Sequence, residues 1–286
     1  MAKPGMIVPR GALPDLAAVA AHYDELDDLY RALWGTHLHH GYWLSGRESA
    51  EHAVINLTRL VSAYAAMKPG DRVCDLGCGY GAAALMWQRE HGVTVTGVTI
   101  SGKQFAYATS AARAIPDVQF RQADACDTGL PSASFDIVTA IESSEHMADK
   151  MIFFSEAHRL LRAGGRCVVA AWLTRENPST RETKYLLDPI CSEGRLPSMA
   201  SAAEYYALLQ NSGFADIAFV DFTARVKKTW AVVAARLVRR FFSDAAFRRF
   251  LADPEFSNRI FVKAVFRIWL AYRIGAMRFG LFCAYK

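Results

Sequence analysis

The run Val73-Cys-Asp-Leu-Gly-Cys-Gly-Tyr-Gly81 sets the tightest limit on how this chain can fold. A short apolar strand carries an aspartate, three glycines follow at alternate positions, and good helix formers occupy 82–91. Strand, bare glycine loop and helix in that order open a parallel β-α-β unit whose loop backbone is left accessible to a ligand. The alternation continues. A β-branched strand over 94–100, a helix over 103–114, a Pro116-Asp117 turn and a strand over 118–122 come next. An apolar strand over 135–141, a helix over 150–161 and a strand over 166–172 complete the series. Strands separated by helices at this spacing predict a parallel, twisted sheet covered on both faces.

The flanks read differently. Residues 13–66 predict helices, with Val54, Leu57, Leu60, Val61 and Tyr64 at helical spacing, closed by the Lys68-Pro69-Gly70-Asp71 turn. Beyond Trp172 the pattern is mostly helical over 177–213 with a break at Leu196-Pro197, then a strand over 217–222. Long basic helices are expected over 230–276 and a last strand over 279–285. With 286 residues, 52% of them hydrophobic, the chain can bury a full core, which excludes a disordered protein. Six cysteines are too few for a disulfide scaffold. Pro4, Gly5 and Pro9 stand where an export signal needs an apolar run, so a cytoplasmic location is expected. Lys263, Arg267, Arg273 and Arg278 interrupt the apolar stretch over 260–285, so no membrane span is expected there.

The loop spacing is G-x-G-x-G rather than the G-x-G-x-x-G of a dinucleotide site. Asp75 adds a negative charge beside it, which is poor for a pyrophosphate and good for a cationic ligand. S-adenosylmethionine has a sulfonium and an ammonium and no phosphate. Asp124, in Ala123-Asp-Ala125 at the tip of the third strand, can accept a hydrogen bond from an adenine amino group. At the end of the second strand Thr99 stands where an acidic ribose ligand is usual, which leaves Thr99, the Ile100 backbone and Gln104 for the ribose. The expected site is therefore Asp75, Gly77, Gly79, Gly81, Thr99, Ile100, Gln104, Asp124 and Ala125. The expected activity is methyl transfer by a class I methyltransferase that releases S-adenosylhomocysteine.

From the fourth strand onward, Phe135-Asp-Ile-Val-Thr-Ala-Ile-Glu-Ser-Ser-Glu-His-Met-Ala-Asp-Lys150 resembles the gamma-tocopherol methyltransferase family. So do Thr99-Ile-Ser, His22-Tyr-Asp-Glu-Leu-Asp, Trp34-Gly, His39-His-Gly-Tyr-Trp43, Leu187-Asp-Pro-Ile-Cys191 and the terminal 275–286. The resemblance spans nearly the whole chain. It implies one α/β domain, a doubly wound, mostly parallel seven-stranded sheet with a helical cap. Within it, 1–66 form an N-terminal lid, 67–174 the cofactor-binding core, and 175–286 a helical cap inserted among the last strands. It also implies that Tyr23 and Tyr42 fold over the cofactor, where aromatic faces attract a sulfonium.

The implied acceptor is an apolar aromatic or isoprenoid small molecule methylated on carbon, with nitrogen or oxygen methylation of a small molecule as the alternative. Glu145 or His146 would serve as base, with Glu142 holding the methionine end or the acceptor. Plain structural roles at a helix start are open for Glu145 and His146. His37, His39 and His40 lack a helical ligand pair and nearby cysteines, so no metal is expected. A greasy acceptor calls for an apolar cap pocket from Phe241, Phe242, Phe250, Phe256, Phe261, Phe266 and Trp269; a diphosphate calls for Lys227, Lys228, Arg239 and Arg240 to point inward.

Charge is lopsided. Residues 225–286 hold 14 basic and 3 acidic side chains, and the remainder 19 against 25. This pattern permits contact between the basic C-terminal helices and a membrane surface. No nucleic-acid recognition module accompanies the charge, so no such partner is expected.

Overall fold

The computed structural model describes residues 5–9, 16–253 and 261–286, with the Phe261 side chain not described. The expected helix start at Leu13 and the side chain of Phe256 lie outside the described residues. Seven strands form one sheet: β1 (Arg72–Leu76), β2 (Thr94–Thr99), β3 (Val118–Gln122), β4 (Phe135–Ile141), β5 (Leu161–Thr174), β6 (Ala215–Asp221) and β7 (Met277–Tyr285). Their order is β3-β2-β1-β4-β5-β7-β6. β7 pairs antiparallel with both β5 and β6, and the other pairings of the sheet are parallel. The chain reverses direction across the sheet between β1 and β4, and such a switch point opens a crevice at the carboxyl ends of the strands.

Alternate residues of the inner strands serve opposite faces. Val73, Ile137 and Val168 pack on one side, and their chain neighbours Cys74, Val138 and Val169 on the other. The helices are α1 (Leu16–Glu25), α2 (Asp27–Trp34), α3 (Ala50–Tyr64), α4 (Ala82–His91), α5 (Gly102–Ala111), α6 (Lys150–Leu160), α7 (Thr180–Glu182), α8 (Asp188–Glu193), α9 (Ala202–Asn211), α10 (Thr223–Val226), α11 (Lys228–Ser243), α12 (Ala245–Ala252) and α13 (Phe261–Ile274). A π turn, Thr183–Leu187, joins α7 to α8. On the first face Leu57, Trp87, Trp230, Val233, Ile268 and Tyr272 bring α3, α4, α11 and α13 into one core. On the second, Phe153, Phe154, Leu160, Tyr205 and Leu209 seat α6 and α9.

Local signals decide where several elements stop. Ser101 caps α5 by accepting from Gln104 N at 3.1 Å, so that helix starts at Gly102. Asp149 caps α6 from Met151 N (2.8 Å) and Ile152 N (3.1 Å). The long basic stretch is broken at Asp244, whose carboxylate accepts from Ala246 N (2.8 Å) and Phe247 N (3.0 Å) and starts α12. β5 begins at Leu161, five residues before the expected 166, because Leu161 pairs with Phe135 ahead of a bulge. The helices α10 to α13 lie between β6 and β7 in the chain.

Candidate active site

The glycine loop leaves β1 at the switch point. Gly77 N and Cys78 N both donate to Val98 O, at 2.8 and 2.9 Å, and stitch the loop to β2. Gly77, Gly79 and Gly81 all have positive φ, at 83°, 53° and 75°, but the space around them differs. A Cβ on Gly77 would come within 2.2 Å of Ser143 Cβ, and one on Gly81 within 2.3 Å of Phe120 Cζ. A Cβ on Gly79 would meet nothing within 4 Å. Gly81 thus lets α4 pack on β3 and does not line the groove, whereas Gly79 opens into it. Gly79→Ala should weaken cofactor binding at least about tenfold with a modest loss of stability. Gly81→Ala should instead lower the melting temperature by several degrees, since overpacking costs about 1–3 kcal/mol. Cofactor titration and thermal melts of both variants check this.

The groove beside the loop has a volume of about 700 Å³. Gly77, Gly79, Thr99, Ile100, Gln104, Asp124 and Ala125 line it, together with Leu16, Val19 and Tyr23 of α1. Thr99 Oγ1 donates to Gln104 Oε1 at 2.8 Å, so these two neighbours hold each other at the end of β2. Asp124 Oδ1 accepts from Cys126 N at 2.8 Å, which fixes the tip of β3. The helix α1 is tied across the groove by Asp24, whose Oδ1 accepts from Ser101 Oγ at 2.5 Å, and by Lys103 Nζ donating to Asp24 O at 2.7 Å.

Asp75 lies in an adjoining recess of about 360 Å³ that shares Gly77 and Gly79 with the groove. The register puts it opposite Thr139, whose hydroxyl donates to Asp75 Oδ1 at 2.9 Å. Burial pushes the Asp75 carboxyl up to about 7, and the Thr139 bond offsets only part of that. A folded-state value above the 3.8 of an unperturbed Asp means the folded chain holds this proton more tightly than the unfolded one. Stability of the cofactor-free protein should therefore fall as pH rises from about 4 to about 7. Melting curves of Asp75→Asn across that range should be flatter than those of the unsubstituted protein.

A second cavity lies behind the groove. Its walls are aromatic and aliphatic: Tyr30, Trp34, Trp172, Trp230, Ile190, Leu196 and Ile268. Among the described residues, no Lys or Arg lines it. Tyr23, Leu38, Glu142 and His146 line both cavities and form the junction between them.

His146 ends a 3₁₀ turn, Ser144–His146, just past β4. Its Nε2 shares a hydrogen bond of 2.7 Å with the Tyr23 hydroxyl. Its buried Nδ1 makes no well-formed hydrogen bond, although the Arg195 backbone nearby favours the protonated ring. Burial dominates and pushes the imidazole down to about 3, so the ring is neutral at physiological pH. Burial, aided by Glu145 and Glu142, raises the Tyr23 phenol well above its usual value.

Glu142 sits in the left-handed region at φ 52°, a costly conformation for a residue with a side chain. Its carboxylate accepts from His40 N (2.7 Å), His40 Nδ1 (2.9 Å) and Trp172 Nε1 (2.6 Å). His40 Nε2 in turn accepts from Trp230 Nε1 at 2.6 Å. An indole N–H can only donate, so the lone pair is on Nε2 and the His40 proton on Nδ1. One carboxylate thus clasps the 38–43 segment, the tips of β4 and β5, and the cap helix α11. Burial alone would push Glu142 up, but His40 and Trp172 outweigh it and hold the carboxyl below its usual value.

Three expectations need correcting. Glu145 lines neither cavity: its carboxylate turns back to accept from the Trp172 backbone N–H and from Ser144 Oγ, and burial pushes it up to about 8. Tyr42 lines neither cavity because its N–H bonds Ala53 O at 2.7 Å and its ring packs edge-on against Phe222. The second cavity is not built from the cap phenylalanines. Phe241, Phe242, Phe266 and Trp269 are exposed, Phe250 packs at the margin of the core, and α13 turns Ala264, Val265 and Ile268 inward instead. Lys227 and Lys228 line an outer groove, and neither they nor Arg239 and Arg240 reach the cavity. His37 and His39 share the Thr58 hydroxyl at 3.3 and 3.2 Å, while His40 is engaged by Glu142. Among the described residues, no His, Cys, Asp and Glu side chains cluster as a metal site. The sequence reading missed His40, Trp172 and Trp230 as one network; polar aromatics at strand and helix ends were the available signal.

Comparison with known proteins matches residues 12–247 to the family described as mycolic acid cyclopropane synthetase. The chain belongs to that family. Among its relatives is the 27-O-demethylrifamycin SV methyltransferase of Amycolatopsis mediterranei, 35% identical over 218 residues, covering 75% of this chain and 79% of that one. The chloroplastic tocopherol O-methyltransferase of Arabidopsis thaliana is 30% identical over 75% of this chain and 68% of its own length. The 2-methyl-6-phytyl-1,4-hydroquinone methyltransferase of a Synechocystis strain is 27% identical over 94% of this chain and 87% of its own. Among solved structures, the cyclase SpnF superposes with a TM-score of 0.82 at 26% identity, covering 98% of both chains. The resemblance to tocopherol methyltransferases is borne out. This family member is an S-adenosylmethionine-dependent methyltransferase with a class I fold, and its relatives act on small-molecule acceptors. Among the described residues no helix is long and apolar enough to cross a membrane.

Proposed function

We propose that this enzyme methylates an apolar, hydroxyl-bearing small molecule, with the methyl group going to oxygen. The observation that carries this reading is the junction: the glycine-loop groove and an aromatic cavity that no described Lys or Arg lines share the neutral His146 and its partner Tyr23. The groove suits S-adenosylmethionine, because Gly79 opens into free space and a carboxylate, Asp75, waits in the recess beside it. In this reading Thr99 and Gln104 bind the ribose hydroxyls, Asp124 and Ala125 the adenine, and Asp75 the ammonium. Bound there, the cofactor supplies an electrophilic methyl group on a sulfonium. The protein does the rest. Trp34, Trp172 and Trp230 hold the acceptor against the junction, and orientation of this kind supplies much of the rate. His146 takes the acceptor proton, directly or through the Tyr23 hydroxyl. The helix α1 excludes water, tied down through Asp24.

Oxygen methylation is supported by the names of the rifamycin and tocopherol relatives. Carbon methylation, expected from the resemblance alone, stands as the second reading, supported by the hydroquinone methyltransferase that aligns over 94% of this chain. Both begin with the same proton transfer from a phenol. That no described Lys or Arg lines the cavity argues against a prenyl diphosphate. The test is homocysteine release with polyketide-like phenols, prenylated hydroquinones, prenyl diphosphates and small amines, with mass spectrometry locating the methyl. An O-methylated phenol is the expected product. Turnover of amines or diphosphates alone would sink the proposal.

A further inference from the structure

We infer that the outer face of α13, with the basic groove beside it, docks this protein on an anionic phospholipid bilayer. The helix has two arcs. Ala264, Val265, Ile268, Ala271 and Tyr272 recur at helical spacing and are buried in the cap core. The opposite arc of a helix facing only water is normally polar. Here it carries Phe266, Trp269, Leu270 and Ile274, each between 37% and 49% exposed, with Lys263 and Arg273 among them. The helix contains no acidic residue.

Trp269 and Arg273 also form one wall of an open groove of about 1140 Å³ between α13, the start of α11 and the 43–46 loop. Arg225, Lys227 and Lys228 line it with Trp43, and no carboxylate of the described residues does. The Lys228 ammonium lies 4.4 Å from the centre of the Trp43 ring, and the Arg273 guanidinium 5.7 Å from that of Trp269.

Charge complementarity selects the occupant. The 225–286 segment holds 14 basic and 3 acidic residues, while the rest of the chain is net acidic, so the cap end is the positive pole. A second copy seated on this face would bring like charges together. A nucleic acid would satisfy the groove but not the apolar arc. An anionic bilayer satisfies both, with headgroup phosphates at the groove and a Trp-bearing apolar stripe in the interface. The inference stands whatever the acceptor is.

The test is sedimentation of the full chain with vesicles of phosphatidylcholine alone or with phosphatidylglycerol added. The protein should bind the anionic vesicles, and high salt should release it. Trp269→Glu with Leu270→Glu should weaken binding at least about tenfold, and Lys227→Glu with Arg273→Glu should weaken it and flatten the salt dependence. Both variants should bind S-adenosylhomocysteine normally, which separates lost docking from lost folding. Three results would overturn the inference: protein that stays in the supernatant, variants that sediment like the parent, or a dimer in ultracentrifugation that Trp269→Glu with Leu270→Glu dissolves.

Discussion

His146→Ala should slow methyl transfer by about 10²- to 10⁴-fold, the range for loss of a positioned general base, while S-adenosylhomocysteine affinity changes little. The effect should fall on kcat if the imidazole, which stands at the junction of the two cavities, takes the acceptor proton as proposed. Tyr23→Phe removes the hydroxyl bonded to Nε2 and should cost less, about tenfold, with the ring still packed against Tyr30. Glu145→Gln is the control. Burial pushes that carboxyl up to about 8, so it is mostly protonated at pH 7, and an amide can still accept from the Trp172 N–H. Its turnover should stay within about threefold of the parent. Should His146→Ala and Glu145→Gln both turn over like the parent, with cofactor still bound, neither residue is the base.

The second large effect is on stability. Glu142→Ala strips three buried donors, His40 N, His40 Nδ1 and Trp172 Nε1, of their common acceptor. Breaking such a buried polar cluster costs about 3–5 kcal/mol, which thermal or denaturant unfolding would register at once. The same pairing has a pH signature. The folded-state pKa of Glu142 is held below the value of an unpaired Glu, so its stabilisation is full above that value and is lost as pH falls through the depressed one. The Glu142→Ala protein should lack that acid-side loss. Because the clasp joins Trp172 and Trp230 in the wall of the second cavity, where the acceptor is proposed to bind, the variant should also turn over bulky acceptors with a raised KM. An unchanged melting curve and an unchanged acceptor profile would show that the clasp does neither job.

Much of the fold could be read without coordinates. A strand, a glycine loop and a helix, followed by two more β-α repeats and further parallel strands, leave few topologies once crossovers between parallel strands are right-handed. The caps Ser101, Asp149 and Asp244 lie next to the helices they start, so local chemistry set those boundaries. Thr99, Gln104 and Asp124 end up around one groove because parallel strands deliver their carboxyl ends to one edge of the sheet. Even Gly81 was legible as a glycine, though not as a packing glycine, since Phe120 arrives from β3.

What the sequence determined by itself, then, was the periodic part: the sheet, the loop, the capped helices and the groove at their ends. Tertiary structure alone decided that Glu142 and His146 line the two cavities and that Glu145 does not. These residues lie on an irregular turn, where no period of two or 3.6 assigns a direction to a side chain. Their orientation comes from partners far along the chain: His40 for Glu142, Trp172 for Glu145 and Tyr23 for His146. The cap repeats the lesson, because α13 buries its alanines, Val265 and Ile268 and leaves Phe266 and Trp269 outside. Hydrophobicity told that helix to bury one arc; only the shape of the sheet and of α11 beneath it decided which.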